Sequence, residues 1–222
     1  AAMAAMIPIC RWYKRVLRVM KRKHQVAEVQ SESPLSKKMT VFAIGILLVL
    51  IFSKYIYMAS LSSYYTFYLI HKFGVSVQSS QIFLFVFLFA TAAGTLIGGP
   101  LGDRIGRKYV IWISILGTAP FSLLMPHVGL VWTCILSFII GLILSSAFPA
   151  ILLYAQELLP YKLGLVSGLF FGFAFGIAGI ASAVLGNMAD TYGIEAVYNV
   201  CGYMPLLGLV TYFLPNLRSK IG

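Results

Sequence analysis

Residues 82–99 read IFLFVFLFATAAGTLIGG, a run with no charged side chain and apolar residues on every helical face. Membrane-spanning β-strands alternate apolar and polar positions in ~10-residue segments, and this run stays apolar on all sides for longer than that. A helix, which pairs its own backbone groups internally, is the spanning structure that remains. Crossing a ~30 Å hydrocarbon core takes roughly 20 apolar residues. Working outward, the same reading applies to six stretches, 39–70, 80–99, 109–125, 129–154, 162–186 and 195–214, joined by short connections. The expected fold is therefore an all-α integral membrane bundle of six transmembrane helices over residues 39–215.

Composition supports this class. Of the 222 residues, 60% are hydrophobic and only 10% charged, against about a quarter charged in soluble domains; the mean hydropathy is +0.90. The net charge of +11 does not point to nucleic acid, because nine of the 17 Lys/Arg fall within residues 1–38. A basic segment beside a membrane answers to anionic lipid. Within that leader, Arg11, Lys14, Arg15, Arg18 and Arg22 recur at helical spacing among apolar residues, the pattern of an interfacial helix, and 24–38 reads as a polar linker. The apolar stretch 1–10 is too short to span and precedes the basic residues, the reverse of a signal peptide; it reads as the stub of a preceding helix. Cys10, Cys134 and Cys201 are far apart and have no metal-ligand spacing, so they read as small buried hydrophobes. No metal and no cofactor is expected.

Orientation follows from the positive-inside rule. With residue 1 inside, fifteen of the 17 Lys/Arg lie on that side, Lys72 is outside, and Lys54 falls within a span. Both termini, including the tail 216–222, are thus expected on the cytoplasmic face of a cell membrane.

Between the second and third spans stands GPLGDRIGRK, residues 99–108. Gly99, Pro100, Gly102 and Gly106 permit a tight reversal, Asp103 can accept hydrogen bonds, and Arg104, Arg107 and Lys108 supply fixed positive charge. The segment resembles the G-x-L-x-D-x-x-G-R-K signature loop of the major facilitator superfamily, matched by Gly99, Leu101, Asp103, Gly106, Arg107 and Lys108. The stretches FSKYIYMASLSSYYTFYLIHKFGVS (52–76), AAGTLIGGPLGDRIGRKYVIWISILG (92–117), YAQELLP (154–160) and GLVSGLFFGFAFG (164–176) resemble the C-terminal half of the fosmidomycin-resistance efflux family. That resemblance implies a proton-driven drug-efflux antiporter of a bacterial inner membrane, exporting a small anionic phosphonate antibiotic. It also implies a second six-helix domain as partner, the leader being the end of a sixth helix and the central cytoplasmic loop.

Span one carries the heaviest polar load. Lys54, Tyr57, Tyr64 or Tyr65, and Tyr68 recur at three- and four-residue steps, so with Leu61 they share a face. A lysine within hydrocarbon costs at least ~2.5–3.5 kcal/mol on insertion scales and ordinarily faces a cavity or a partner. Lys54 is therefore the candidate anchor for an anionic substrate, with the tyrosine hydroxyls hydrogen-bonding it or forming a proton path. The alternative is a snorkelling lysine among structural tyrosines, which its distance from both ends of the span disfavours.

Glu157, at the cytoplasmic end of span four, is placed to pair with Arg104 or Arg107 as a gate, or else to solvate a loop. In span five, Gly164, Gly168, Gly172 and Gly176 form a four-residue repeat that lets another helix approach closely. Pro149, near Ser145 and Ser146, is expected to bend span four. A membrane-embedded enzyme would need convergent acids, bases or ligands. No span holds two carboxylates, while His71 and His127 fall in external loops and His24 in the linker. Half a secondary transporter is the leading reading, with a self-dimerising half-size transporter as its alternative.

Overall fold

Lys37–Phe73 form α1, a single helix of 37 residues that at 1.5 Å per residue is about 55 Å long. It opens the computed structural model, which describes residues 36–215; the expected stub, interfacial helix, most of the linker and the tail lie outside the described residues. The last two residues assigned to the linker, Lys37 and Lys38, belong to α1. Gly74 ends it at φ 64°, its N–H bonding the Ile70 carbonyl at 2.9 Å, a left-handed cap that glycine adopts without strain. Ser76 then caps α2 (Val77–Ile105) by accepting the Ser79 N–H.

The remaining spans are interrupted. Span three consists of α3 (Arg107–Leu116) and α4 (Ala119–Leu124), closed by a 3₁₀ turn at Met125–His127. Span four divides at Ser146 into α5 (Leu130–Ser145) and α6 (Ala147–Leu158). Pro149 lacks the N–H that would bond the Ser145 carbonyl, so the expected bend appears as a break at Ser146, three residues upstream of the proline. After a 3₁₀ turn, α7 (Leu163–Tyr192) runs unbroken to Gly193. Span six departs from the uniform helix read from sequence: α8 covers only Ile194–Cys201, and Met204–Phe213 is 3₁₀. Pro205 cannot bond the Cys201 carbonyl. Two serines take up carbonyls near that break, Ser122 Oγ donating to Gly202 at 2.7 Å and Ser53 Oγ to Met204 at 2.5 Å.

Six helical stretches are long and apolar enough to cross a membrane, and no strand occurs among the described residues. The distribution of side chains is inverted relative to a soluble domain. Ser53, Ser60, Ser114, Ser122, Ser137 and Thr133 are buried, whereas Phe85, Phe89, Leu96, Val131, Trp132, Leu165, Phe175 and Tyr212 are exposed. Hydrocarbon gives no solvent-driven reason for apolar helices to associate, so close packing and interhelical hydrogen bonds hold the bundle. Such bonds join Tyr65 to Ser137 at 2.9 Å, Ser114 to Ser146 at 2.5 Å, and Tyr198 to the Ser60 carbonyl at 3.1 Å, each worth on the order of 0.6 kcal/mol.

Close packing is supplied by glycines other than those singled out from sequence. At Gly98 of α2 a Cβ would lie 2.5 Å from the Ser146 carbonyl oxygen, and at Gly141 of α5 it would lie 3.1 Å from Phe87. Gly164, Gly168, Gly172 and Gly176 are exposed, and a Cβ at each would meet nothing within 4 Å. Their stripe faces away from every described helix of this chain.

Candidate transport site and cytoplasmic gate

The signature loop is mostly not a loop. Gly99, Pro100, Leu101, Gly102, Asp103 and Arg104 continue α2, and the expected reversal is confined to Gly106, at φ 109° and ψ 134°. One residue outside the L-amino-acid regions suffices to turn the chain from α2 into α3, so glycine is required there and not at Gly99. The missing N–H of Pro100 falls inside α2, which carries on past it. Gly102 is buried and Leu101 packs against the core.

At this corner Arg107 gathers three acceptors. Its Nη1 lies 2.5 Å from Glu157 Oε1 and donates to the Leu153 carbonyl at 3.1 Å, while Nη2 reaches Asp103 Oδ1 at 3.4 Å. Arg107 thus ties the end of α2 and the start of α3 to the last turns of α6. Lys108 Nζ donates to the Tyr212 carbonyl at 3.3 Å, adding the 3₁₀ end of span six. Arg104 is exposed, and of the two arginines considered for Glu157 it is Arg107 that meets it.

Lys54 sits in the middle of α1 and is only 4% exposed. Its ammonium lies 5.0 Å from the Tyr55 ring centre and 5.1 Å from that of Phe148. Among the described residues no hydrogen bond or ion pair engages Lys54. A desolvated cation–π contact is worth about 2 kcal/mol, comparable to the insertion cost of a mid-span lysine, so the two ring faces offset much of that cost. Tyr55 and Phe148 were not legible as site residues, because a ring beside a charge in sequence says nothing of where the charge points, and Phe148 is contributed by another helix.

The tyrosines of α1 are drawn to other partners. Tyr57, Tyr65 and Tyr68 are buried on the core face with Leu61. Tyr57 Oη is directed to Met125 Sδ at 3.9 Å, Tyr65 Oη donates to Ser137, and the Tyr68 ring stacks on Tyr198 at 4.0 Å. Lys72 Nζ donates to Tyr68 Oη at 3.0 Å and also to the Pro126 carbonyl. Tyr64, half-buried, donates to the Ser182 carbonyl of α7 at 2.6 Å. The structure therefore groups the residues on one helix, but the hydroxyls of Tyr57, Tyr64 and Tyr65 go to other elements and that of Tyr68 to Lys72 of α1, rather than converging on Lys54.

A second polar feature went unread in the sequence. His71, Asp190 and Glu195, taken from three helices, line a cavity of about 550 Å³ with Tyr64, Phe67 and Tyr192, beside the α7–α8 corner. His71 lies in the last turn of α1 and not in an external loop.

Six apolar spans, a buried mid-span cation and an arginine–carboxylate corner at one end describe a polytopic membrane domain. The comparisons with known proteins are specific. The Major Facilitator Superfamily model matches residues 39–221, and the chain belongs to that family. It is 58% identical over 219 residues to the fosmidomycin resistance protein of Escherichia coli (strain K12), covering 99% of this chain and 53% of that protein. It is 37% identical over 218 residues to the uncharacterized MFS-type transporter YfnC of Bacillus subtilis (strain 168), covering 97% and 53%. Against the multidrug resistance protein MdtG of Salmonella choleraesuis (strain SC-B67) identity is 30% over 146 residues, covering 63% and 35%. The chain spans about half the length of the first two relatives.

Proposed function

We propose that this chain forms one six-helix half of a proton-coupled exporter of small anionic compounds. It would rock against a second six-helix domain so that a site near the bilayer midplane opens to each side in turn. The observation that carries this reading is the 58% identity to a fosmidomycin resistance protein across almost the whole chain. The position of Lys54 supports it. Bringing a phosphonate or carboxylate out of water is costly unless a cation meets it, and Lys54 is a buried cation with no anionic partner among the described residues. The Lys/Arg asymmetry favours an inner-membrane orientation with both termini cytoplasmic. In that orientation the Arg107–Glu157 pair lies at the cytoplasmic end, where its making and breaking would distinguish the two transport states.

The test is resistance of fosmidomycin-sensitive cells at matched membrane abundance. The chain joined to a second six-helix domain should confer resistance. Lys54→Met, which keeps the apolar stem, should abolish most of it, and Lys54→Arg should keep part, since charge survives although a planar fork replaces a point donor. Wild-type resistance from Lys54→Met would sink the anchor role. Full resistance from the chain alone would favour the self-dimerising half-size transporter.

A further inference from the structure

The two aromatic rings beside Lys54 carry a consequence for how an anion is taken up. Tyr55 and Phe148 come from different helices, α1 and α6, and meet edge to face with centroids 5.7 Å apart and planes at 82°. The Lys54 ammonium stands about equally far from both ring centres, 5.0 and 5.1 Å, inside the range at which a ring face attracts a cation. A third ring, Phe171 of α7, backs Phe148 at 5.1 Å and 70°. The carboxylates of the described residues, Asp103, Glu157, Asp190 and Glu195, all stand at or near helix ends, leaving the ring faces as the counter-charge of Lys54.

We propose that Tyr55 and Phe148 form the resting seat of the Lys54 ammonium, and that a transported anion binds by drawing the ammonium off their faces. This rests on the reading of Lys54 as the anion anchor. A lysine locked in an ion pair must give up one full negative charge to take another. A lysine held by ring quadrupoles gives up only a weaker, delocalised attraction, so an empty carrier keeps its buried charge compensated and still yields it to a ligand. The same ring faces repel an anion that approaches without engaging the ammonium. The site therefore favours compact anions with charge localised on a few oxygens, such as phosphonates and carboxylates. It makes the two rings affinity- and specificity-setting residues. Phe148 also opens the helix whose far end carries Leu153 and Glu157, so displacement of the ammonium is registered on the element that holds Arg107.

The experiment is lysine-labelled ¹³C NMR of the chain joined to a second six-helix domain in lipid nanodiscs, the Lys54 signal being identified by its loss in Lys54→Met, combined with equilibrium binding of fosmidomycin. In the anion-free protein the Lys54 side-chain methylene protons should be shifted upfield by the rings. Phe148→Leu should return them toward ordinary positions, Phe148→Tyr should leave them upfield, and saturating fosmidomycin should move them as Phe148→Leu does. Because losing the seat raises the energy of the empty site, Phe148→Leu should bind fosmidomycin about 30-fold tighter, whereas a ring that merely lined the ligand would give weaker binding. An unshifted Lys54 signal, or one indifferent to Phe148→Leu, overturns the seat. A persistent upfield signal in the presence of bound fosmidomycin overturns the competition. An intact seat signature with fosmidomycin binding unchanged in Lys54→Met instead overturns the anchor reading, leaving the rings a structural support only.

Discussion

Arg107 and Glu157 meet at 2.5 Å across the corner between α3 and α6, and the arginine holds the Leu153 carbonyl of the same helix at 3.1 Å. The pair is partly open, the two side chains being 20% and 42% exposed. Ion pairs in such surroundings contribute only about 0–1 kcal/mol to stability. The contact is thus too weak to hold the fold together and well suited to being made and broken.

Glu157→Gln should accordingly change the transport rate of a complete transporter while shifting the melting temperature in detergent very little. Arg107→Ala should do more damage to both, because it also removes the bonds to the Leu153 carbonyl and Asp103. Asp103→Asn should impair transport with abundance nearly unchanged. Paired thermal-denaturation and efflux measurements check this set; a large loss of stability in Glu157→Gln alone would mean the pair is a structural clamp.

Gly106→Ala should destabilise the protein by about 1–3 kcal/mol, since a Cβ is strained at φ 109°. Gly99→Ala, in helix with nothing within 4 Å of the added carbon, should be neutral or slightly stabilising. The comparison is made by membrane abundance and detergent melting. Equal behaviour of the two variants would refute the assignment of the turn to Gly106.

Gly98→Ala forces a methyl against the Ser146 backbone at 2.5 Å and should cost about 1–3 kcal/mol through overpacking of α2 on the break between α5 and α6. Gly168→Ala meets nothing within 4 Å among the described residues and should leave stability unchanged. In a complete transporter, however, Gly168→Ala or Gly172→Leu should impair function if that stripe receives a helix of the other domain. Activity at the native level in both would leave the stripe facing lipid.

With Cys10, Cys134 and Cys201 replaced by serine, cysteines introduced beside His127 and Asp190 should react with an impermeant thiol reagent added to intact cells. A cysteine beside Arg104 should react only after the membrane is opened. Labelling at Arg104 in intact cells would invert the topology proposed from the Lys/Arg asymmetry.

Residues 82–99 and their five counterparts determined the fold class without any tertiary information, because hydrocarbon admits only backbones that satisfy their own hydrogen bonds, and helices do so within one segment. The family was equally legible, in Gly99, Asp103, Gly106, Arg107 and Lys108. Lys54 stood out because a mid-span charge is costly wherever it points. What each of these residues touches was decided elsewhere. Sequence periodicity places Tyr57, Tyr65 and Tyr68 on one face, but only the neighbouring elements determine that the Tyr57 and Tyr65 hydroxyls go to Met125 and Ser137. It marks the glycines of α7 as a packing stripe, whereas close approach in this chain is made at Gly98 and Gly141. Interhelical contacts in lipid depend on shape and on which surfaces meet, and neither is periodic along one helix. Likewise Phe148, far along the chain, is the neighbour of Lys54 because span four divides at Ser146 and α6 packs beside α1.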